Sequence, residues 1–286
     1  MRHSVRNRRL DQPAQSIHPR RGVMNSKTEL NEDASDLRLA VQLADQASRM
    51  LLERQRTAAT RSLTRDQLKD EGDAQSQLLI SAGLSRYRPA DAVLSEEAAD
   101  SSARLRSDRV WIVDPLDGTR EFAEGRADWA VHVALWQGGE LSVGAVALPG
   151  LGIILDSSPE VALATTQNDR IRIAVSRSRP PSIVGVLAES VDAELVPMGS
   201  AGYKACAVVR GEVDAYVHAG GQYEWDSAAP VVVAQSRGLH ASRIDGSPLS
   251  YNQPDPYLPD LLICRPDLAE LLVPKLRVLN QIELLR

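Results

Sequence analysis

The stretch Trp111-Ile-Val-Asp114-Pro-Leu-Asp117-Gly-Thr119 decides the fold, because an apolar strand here delivers two carboxylates, three residues apart, into a Gly-Thr turn. Asp114 and Asp117 can then face one cavity. Mg²⁺ takes oxygen ligands and keeps some of its waters, so two carboxylates at a strand end suit a metal site, to which the Leu116 carbonyl could add a ligand. The alternative is that both aspartates only cap a turn and the following helix.

Two further features favour a site over simple capping. Gly118 and Thr119 place free backbone N–H groups at a predicted helix start, which is where phosphate binds. A second β-prone run, residues 92–94, also ends at acidic residues, Ser95-Glu96-Glu97. The sequence therefore predicts that carboxylates collect at strand ends.

Composition narrows the class of protein. The chain has 286 residues, of which 43% are hydrophobic and 25% are charged, and its net charge is −5. These are ordinary values for a globular enzyme, and no apolar run approaches the roughly 18 residues that span a bilayer. The negative charge weighs against a nucleic-acid binder, since binding to phosphate backbones usually needs a basic surface. Cys206 and Cys264 lie in apolar stretches, which suits buried reduced thiols and predicts a cytoplasmic location.

Three segments are predicted along the chain. Residues 1–32 form a disordered basic tail, in which arginines alternate with prolines and no apolar region follows. Residues 33–168 form an α+β domain with an antiparallel sheet, and residues 169–286 form a layered α/β domain. The first helix covers residues 35–54, and a second begins near Asp73 and stops before Pro89. Further predicted elements are strands at residues 92–94, 109–113, 129–136, 141–148, 161–164, 171–175, 195–197, 214–217 and 261–264, and helices after Pro181, from Ser200 and from Asp226.

Three motifs carry a family resemblance: DPLDGT at residues 114–119, Ser95-Glu96-Glu97 before it, and Glu224-Trp225-Asp226-Ser-Ala-Ala after it. In this order and separation they resemble the signature motifs of the inositol monophosphatase superfamily, over about residues 35–280. The wider segments VLSEE, GSAGYK, HAGGQYEWDSAAP and DGSPLSYN are most similar to its CysQ-type branch of 3′(2′),5′-bisphosphate nucleotidases. The resemblance implies a layered αβαβα sandwich of α+β or α/β class, with the active site between its two halves.

The resemblance also implies residue roles, two or three Mg²⁺ ions and inhibition by Li⁺. Thr119 resembles the threonine that orients the attacking water, and Asp73 resembles the acidic residue paired with it. The match at Asp73 is imperfect, because the family usually reads Thr-x-x-Asp there and this chain reads Lys69-Asp70-Glu71-Gly72-Asp73. Asp70 or Glu71 stays open as the partner of Thr119, and Asp73 could be only an N-cap. The implied metal ligands are Glu96, Asp114, the Leu116 carbonyl, Asp117 and Asp226.

Substrate contacts are predicted in three places besides the Gly118 and Thr119 amides. Gly199-Ser200-Ala201 precedes a predicted helix and resembles the segment that contacts the organic part of the substrate. Ser176, Arg177 and Arg179 lie at a strand end where a second phosphate could be met. A base or ribose pocket could be lined by Tyr223, Glu224 and His218, with a structural role as the alternative for His218. For the residues at the strand end, loop solvation is the alternative.

The resemblance thus implies a Mg²⁺-dependent phosphatase that removes the 3′-phosphate of 3′-phosphoadenosine 5′-phosphate (PAP), or of PAPS, giving AMP or APS in sulfur assimilation. Inositol 1-phosphate and fructose 1,6-bisphosphate are alternative substrates, and a catalytically silent homologue that binds a phosphorylated ligand is the alternative class. Expected partners are a small phosphorylated substrate and, at most, a second copy in a homodimer, with no nucleic-acid polymer and no membrane. His132, which has no Cys or His partner at ligand spacing, is expected to be a packed core residue.

Overall fold

The computed structural model describes residues 35–159 and 170–283, which form two five-stranded sheets and the helices around them. The helices are α1 Asp36–Thr57, α2 Arg65–Tyr87, α3 Thr119–Ala123, α4 Ser182–Ser190, α5 Ala201–Val209, α6 Glu224–Ser236 and α7 Pro266–Glu283, with a 3₁₀ helix at Ser102–Arg106. The strands are β1 Ala92–Ser95, β2 Arg109–Asp117, β3 Ala130–Gln137, β4 Glu140–Leu148, β5 Ile153–Asp156, β6 Arg172–Ser176, β7 Glu194–Met198, β8 Ala215–Tyr223, β9 His240–Ser242 and β10 Tyr257–Cys264.

The first sheet has the strand order β1-β2-β3-β4-β5. The pairs from β2 to β5 are antiparallel, as the sequence predicts, but β1 runs parallel to β2. In their register Ser95 lies opposite Val113, so both strands reach the same sheet edge at the point where their acidic residues follow. This parallel pair therefore brings Glu96 towards Asp114.

The second sheet has the strand order β7-β6-β8-β10-β9, with β6 parallel to both β7 and β8 and the remaining pairs antiparallel. Helices α4 and α7 pack on one face of it, where Val184, Leu187 and Leu272 are buried. The other face packs against α5 and α6, which in turn contact the first sheet. Helix α1 contacts α2 and strands of the first sheet. The layers are consequently helix, sheet, helix, sheet, helix, and the predicted αβαβα sandwich is confirmed.

One hydrophobic core joins the two halves of the sequence, since Ile112 and Val146 belong to the same buried cluster as Ala228 and Ile263. The predicted boundary near residue 168 and the predicted strand at 161–164 lie outside the described residues, as does the predicted tail, residues 1–32. Along the described part of the chain, no helix combines the length and the hydropathy needed to cross a membrane.

The helix boundaries follow local signals. Helix α1 buries one apolar stripe and begins at an N-cap, Ser35, whose side chain accepts from the Arg38 amide. Helix α2 begins at Arg65, because Thr64 and Gln67 form a capping box. The prediction that this helix starts near Asp73 is therefore wrong. Asp73 lies inside α2 and is not its N-cap.

Candidate active site

A bulge in β2 sets the direction of the two aspartates of the central motif. In a regular strand, residues three apart point to opposite faces of the sheet. Here Asp114 pairs with His132 and Asp117 with Ala130, so β2 has one more residue than β3 between the two pairs. Pro115 lies in this bulge, where its missing N–H costs no ladder hydrogen bond. Both carboxylates consequently reach the same site.

Asp226 completes a cluster with them, since Asp114, Asp117 and Asp226 each offer an oxygen atom within 4.8 Å of the others. Asp226 lies in the first turn of α6, and its Oδ2 accepts a hydrogen bond from the Tyr223 amide at 2.6 Å. Burial, followed by the charge of Asp117, raises the pKa of Asp226 to about 6. The second half of the chain thus contributes a carboxylate to the site of the first.

Asp114 is the most deeply placed member, with 1% of its surface exposed. Its Oδ1 accepts from the Leu116 amide at 3.0 Å, whereas its Oδ2 is buried and has no hydrogen-bond partner within the described residues. Burial, and then the charges of Glu96 and Asp117, hold the pKa of Asp114 well above its usual range. An unpartnered buried carboxylate oxygen is costly, and a bound cation would offset that cost.

Asp117 differs from Asp114, because its pKa is lowered and not raised. Its Oδ2 accepts from the Ser200 hydroxyl and from the Gly202 amide at 2.6 Å, and its Oδ1 accepts from the Ala201 amide at 3.1 Å. Burial acts to raise its pKa, but His132, Ser200 and Gly202 outweigh burial and lower the pKa to about 2. Asp117 is therefore ionised at neutral pH and ties β2 to the start of α5.

Glu96 lies at the rim of this cluster. The residue is exposed overall, but its carboxyl group is close enough to the other acids for desolvation, and then Asp226 and Glu97, to raise its pKa to about 7. Its amide bonds to the Val113 carbonyl at 3.4 Å, which continues the β1–β2 pairing. The group of hard oxygen donors with raised pKa values fits a divalent cation.

Asp73 lies on the side of α2 that faces this rim. Gly72 lets the helix approach β2 and α3, because a Cβ there would lie 2.8 Å from Phe122 Cε1 and 3.0 Å from Leu116 Cδ2. Burial and the charge of Glu97 raise the pKa of Asp73 to about 7. Of the two alternatives, Glu71 is paired with Arg54 and Arg61 on another side of the helix, and Asp70 is exposed. Asp73 is thus the acid of this segment whose charge acts on Glu96 at the rim of the cluster.

Thr119 and Gly118 follow the bulge directly. The Thr119 hydroxyl donates to the Leu116 carbonyl at 3.2 Å, so it lies beside a predicted metal ligand. Gly118 adopts φ 87°, and a Cβ at this position would meet Ser200 Cβ at 3.0 Å. Glycine is required because this backbone is left-handed and α5 begins so close to it.

The segment Gly199-Ser200-Ala201, which also binds Asp117, lies against further acidic side chains. The Gly199 amide donates to Asp128 Oδ2 at 2.7 Å, and a Cβ on Gly199 would lie 2.3 Å from Glu121 Cγ. Ser200 adopts a positive φ of 45° and caps α5, accepting from the Tyr203 amide at 3.0 Å. Backbone strain of this kind is commonly held at functional sites by surrounding contacts.

The other predicted substrate contacts are used within the protein. The Arg177 guanidinium bonds to Glu121 at 2.9 Å and to Glu124 at 2.5 Å, so a phosphate would compete with two carboxylates. The Ser176 hydroxyl accepts from the Arg179 amide at 3.2 Å. Glu224 is 1% exposed and accepts from the amides of residues 252 and 253 at 2.6 and 2.7 Å. Its carboxylate therefore fixes the position of the loop at residues 252 and 253.

Two residues beside the site did not stand out in the sequence. His132 is fully buried, as expected, but its Nε2 lies 3.3 Å from Asp117 Oδ2 and its Nδ1 lies 3.1 Å from the Trp225 carbonyl. The Lys204 ammonium donates to the carbonyls of Gly199 and Ser200 and so fixes the strained turn. The available signal was the spacing of Lys204 four residues after Ser200, which puts both on one side of a helix start.

The fold and the carboxylate cluster together define the class of protein. The family model of the inositol monophosphatase family matches residues 32–281, and the chain belongs to that family. The predictions of this family, of its fold and of a phosphatase are thereby confirmed.

Individual relatives are similar over most of the chain. The chain is 48% identical over 269 residues to the 3′-phosphoadenosine 5′-phosphate phosphatase of Mycobacterium leprae, covering 88% of this chain and 97% of the relative. It is 53% identical over 215 residues to the Mycobacterium bovis protein of the same name, covering 72% and 80%. Among solved structures, CysQ from Bacteroides thetaiotaomicron has a TM-score of 0.68 at 23% identity, covering 80% of this chain and 96% of that one, which shows the shared fold.

Proposed function

We propose that this protein is a Mg²⁺-dependent phosphatase that removes the 3′-phosphate of PAP, and of PAPS, to give AMP and APS. The observation that carries the proposal is the buried cluster of Asp114, Asp117 and Asp226, in which an oxygen of Asp114 has no hydrogen-bond partner within the described residues. The nucleotide substrate is supported by the two mycobacterial relatives, which are named for activity on PAP. The site provides hard oxygen ligands next to a segment suited to an organic phosphate.

The chain's residues fit the proposed cofactor. The residues that would hold Mg²⁺ are Glu96, Asp114, Asp117, Asp226 and the Leu116 carbonyl. When bound, Mg²⁺ would neutralise charge on the phosphate, lower the pKa of a bound water and favour departure of the leaving oxygen.

The remaining groups bind and orient the reactants. The hydroxyl of Thr119 and the carboxylate of Asp73 would hold the attacking water, and the amides of Gly118 and Thr119 would bind the phosphate oxygens. The attacking water forms a new bond to phosphorus, and the bond between phosphorus and the 3′ oxygen breaks. The leaving 3′ oxygen takes up one proton from that water and becomes a hydroxyl group. The products are inorganic phosphate and the 3′-hydroxyl nucleotide, with no covalent enzyme intermediate.

A substrate panel tests this proposal. With Mg²⁺ present, we expect kcat/KM for PAP to exceed the values for inositol 1-phosphate and fructose 1,6-bisphosphate by at least about tenfold, measured by release of inorganic phosphate. Full turnover after exhaustive chelation, or a clear preference for either sugar phosphate, would contradict the proposal. Glu140→Gln, a change at an exposed acid distant in sequence from the site motifs, serves as a control and should match the parent protein.

Thermal unfolding provides a second test, which does not depend on turnover. In the metal-free protein, burial and neighbouring charges raise the pKa of Asp73 and of Glu96 to about 7 and that of Asp226 to about 6. The folded state then binds more protons than the unfolded state from about pH 4.5 to 7, so metal-free stability from these groups falls as pH rises through that window. Mg²⁺ should therefore raise Tm more at pH 7.5 than at pH 5.5. Equal gains at both values, or gains reproduced by NaCl at matched ionic strength, would be evidence against a carboxylate site.

The cellular role belongs to the same proposal. Removal of PAP would clear the by-product of sulfate transfer during sulfur assimilation. A cytoplasmic location is supported by Cys206 and Cys264, which are both buried free thiols.

A further inference from the structure

The exposed aromatic residues of this protein lie together. The structure describes every Trp, Tyr and Phe of the chain, and only Tyr223 and Tyr257 among them are strongly exposed, at 46% and 48% of their surface. Their ring centroids are 6.1 Å apart at an interplanar angle of 82°. Tyr223 also stacks on Trp225, with centroids 4.7 Å apart and planes within 9° of parallel. We call Tyr223, Trp225 and Tyr257 the aromatic platform.

The aromatic platform is rigid. Tyr223 and Tyr257 are directly opposite each other in the antiparallel pairing of β8 with β10, so the backbone fixes their spacing. Gly221 adopts φ 87°, and a Cβ there would lie 2.3 Å from the Tyr257 hydroxyl. The Gly221 carbonyl is bound by His218 at 2.8 Å. The lack of a side chain at Gly221 thus lets Tyr257 lie across this part of β8.

The aromatic platform is directly attached to the carboxylate cluster. The amide of Tyr223 donates to Asp226, and the carbonyl of Trp225 lies 3.1 Å from His132, which itself contacts Asp117. A small nucleotide whose phosphate reacts at the cluster carries its base only a few bonds away. The exposed ring of Tyr223, stacked on the partly buried ring of Trp225, provides an uncharged, flat surface next to an acidic one.

We propose that the aromatic platform binds the purine base of the substrate by stacking, with Tyr223 as the ring in contact. This inference rests on the proposed nucleotide substrate and adds the feature that selects it over base-free phosphate esters. Stacking suits an exposed tyrosine backed by a second ring, because every base has a π-face and the tyrosine loses little conformational freedom. The base and the reacting phosphate are then recognised by separate groups.

The test compares PAP with its abasic analogue, 1-deoxyribose 3,5-bisphosphate, which has both phosphates but no base. In the parent protein we expect kcat/KM to be higher for PAP, and in Tyr223→Ala the ratio of the two values should fall about 5- to 100-fold, mainly through KM for PAP. Tyr223→Phe keeps the ring and should keep the ratio within about twofold. Leu78→Ala, at a 66% exposed apolar residue on α2, should leave both values unchanged.

The outcomes separate this inference from the proposed function. If the parent protein hydrolyses PAP but shows no preference over the abasic ester, or if Tyr223→Ala keeps the parent ratio, the base is not bound here and the proposed function stands. If neither ester is hydrolysed, the proposed function and this inference both fail. If Tyr223→Ala slows hydrolysis of both esters, calorimetric titration with AMP tests base binding directly. AMP affinity equal to that of the parent protein would overturn the assignment of Tyr223 to the base.

Discussion

Asp114→Asn is expected to remove high-affinity Mg²⁺ binding and to lower kcat by more than about four orders of magnitude, while the protein stays folded. Asp114 is the deepest carboxylate of the cluster, and its unpartnered Oδ2 is the atom best placed to bind a cation. Asparagine keeps an oxygen that can accept from the Leu116 amide, so the bulge is preserved. Because burial and the acidic neighbours already disfavour the charged form of Asp114, replacing it with a neutral amide should not decrease the metal-free Tm.

Thr119→Ala is the matched comparison. It removes one hydroxyl that is close to the Leu116 carbonyl but leaves every carboxylate in place. Loss of a group that orients the attacking water should cost about 10²- to 10⁴-fold in kcat, with Mg²⁺ affinity little changed. Calorimetric Mg²⁺ titration beside steady-state kinetics separates the two variants, and parent-like metal affinity in Asp114→Asn would contradict the assigned site.

Arg104→Met is expected to be the most destabilising single change outside the carboxylate cluster. Arg104 is 1% exposed, and its guanidinium bonds to Asp100, to the Asn252 side chain at 2.8 Å and to the Gln253 carbonyl at 2.8 Å. Methionine fills similar volume but leaves the buried Asn252 oxygen without this donor and removes the part-buried bonds to Asp100 and Gln253. We expect a loss of about 3 kcal/mol in the free energy of unfolding, and a fall in Tm of about 6–12 °C.

The same change should weaken metal binding, because Arg104 joins the segment after Glu96 to the start of α6. Glu224 binds the backbone amides of the loop that Arg104 contacts, and Asp226 lies two residues further along. Arg106→Ala is the control, since Arg106 is exposed on the same 3₁₀ helix and its loss should alter stability by less than about 0.5 kcal/mol. Parent-like Tm in Arg104→Met, measured by calorimetry, would show that the network is not stabilising.

Some features of this protein could be predicted from the sequence because they depend on neighbours along the chain. The apolar spacing of α1 and the apolar run of β2 each specify a local hydrogen-bonding pattern with its own period. The order of the acidic motifs likewise predicted the family. The start of α2 is equally local, because it is set by the capping box of Thr64 and Gln67 and not by Asp73.

Other features were decided only by the tertiary structure, because they depend on contacts between residues far apart in sequence. A spacing of three residues places Asp114 and Asp117 on opposite faces of a regular strand, and only the pairing with β3 forms the bulge that brings them together. Glu224 and Arg177 have motif positions that suggest substrate contacts, yet each found partners within the fold. His132 gave no local signal at all, since its position beside Asp117 exists only once β3 pairs with β2 and α5 packs against them. Sequence therefore determined which groups could perform the chemistry, and the packing of the two sheets decided which of them meet, because burial and long-range hydrogen bonds are established only in the assembled fold.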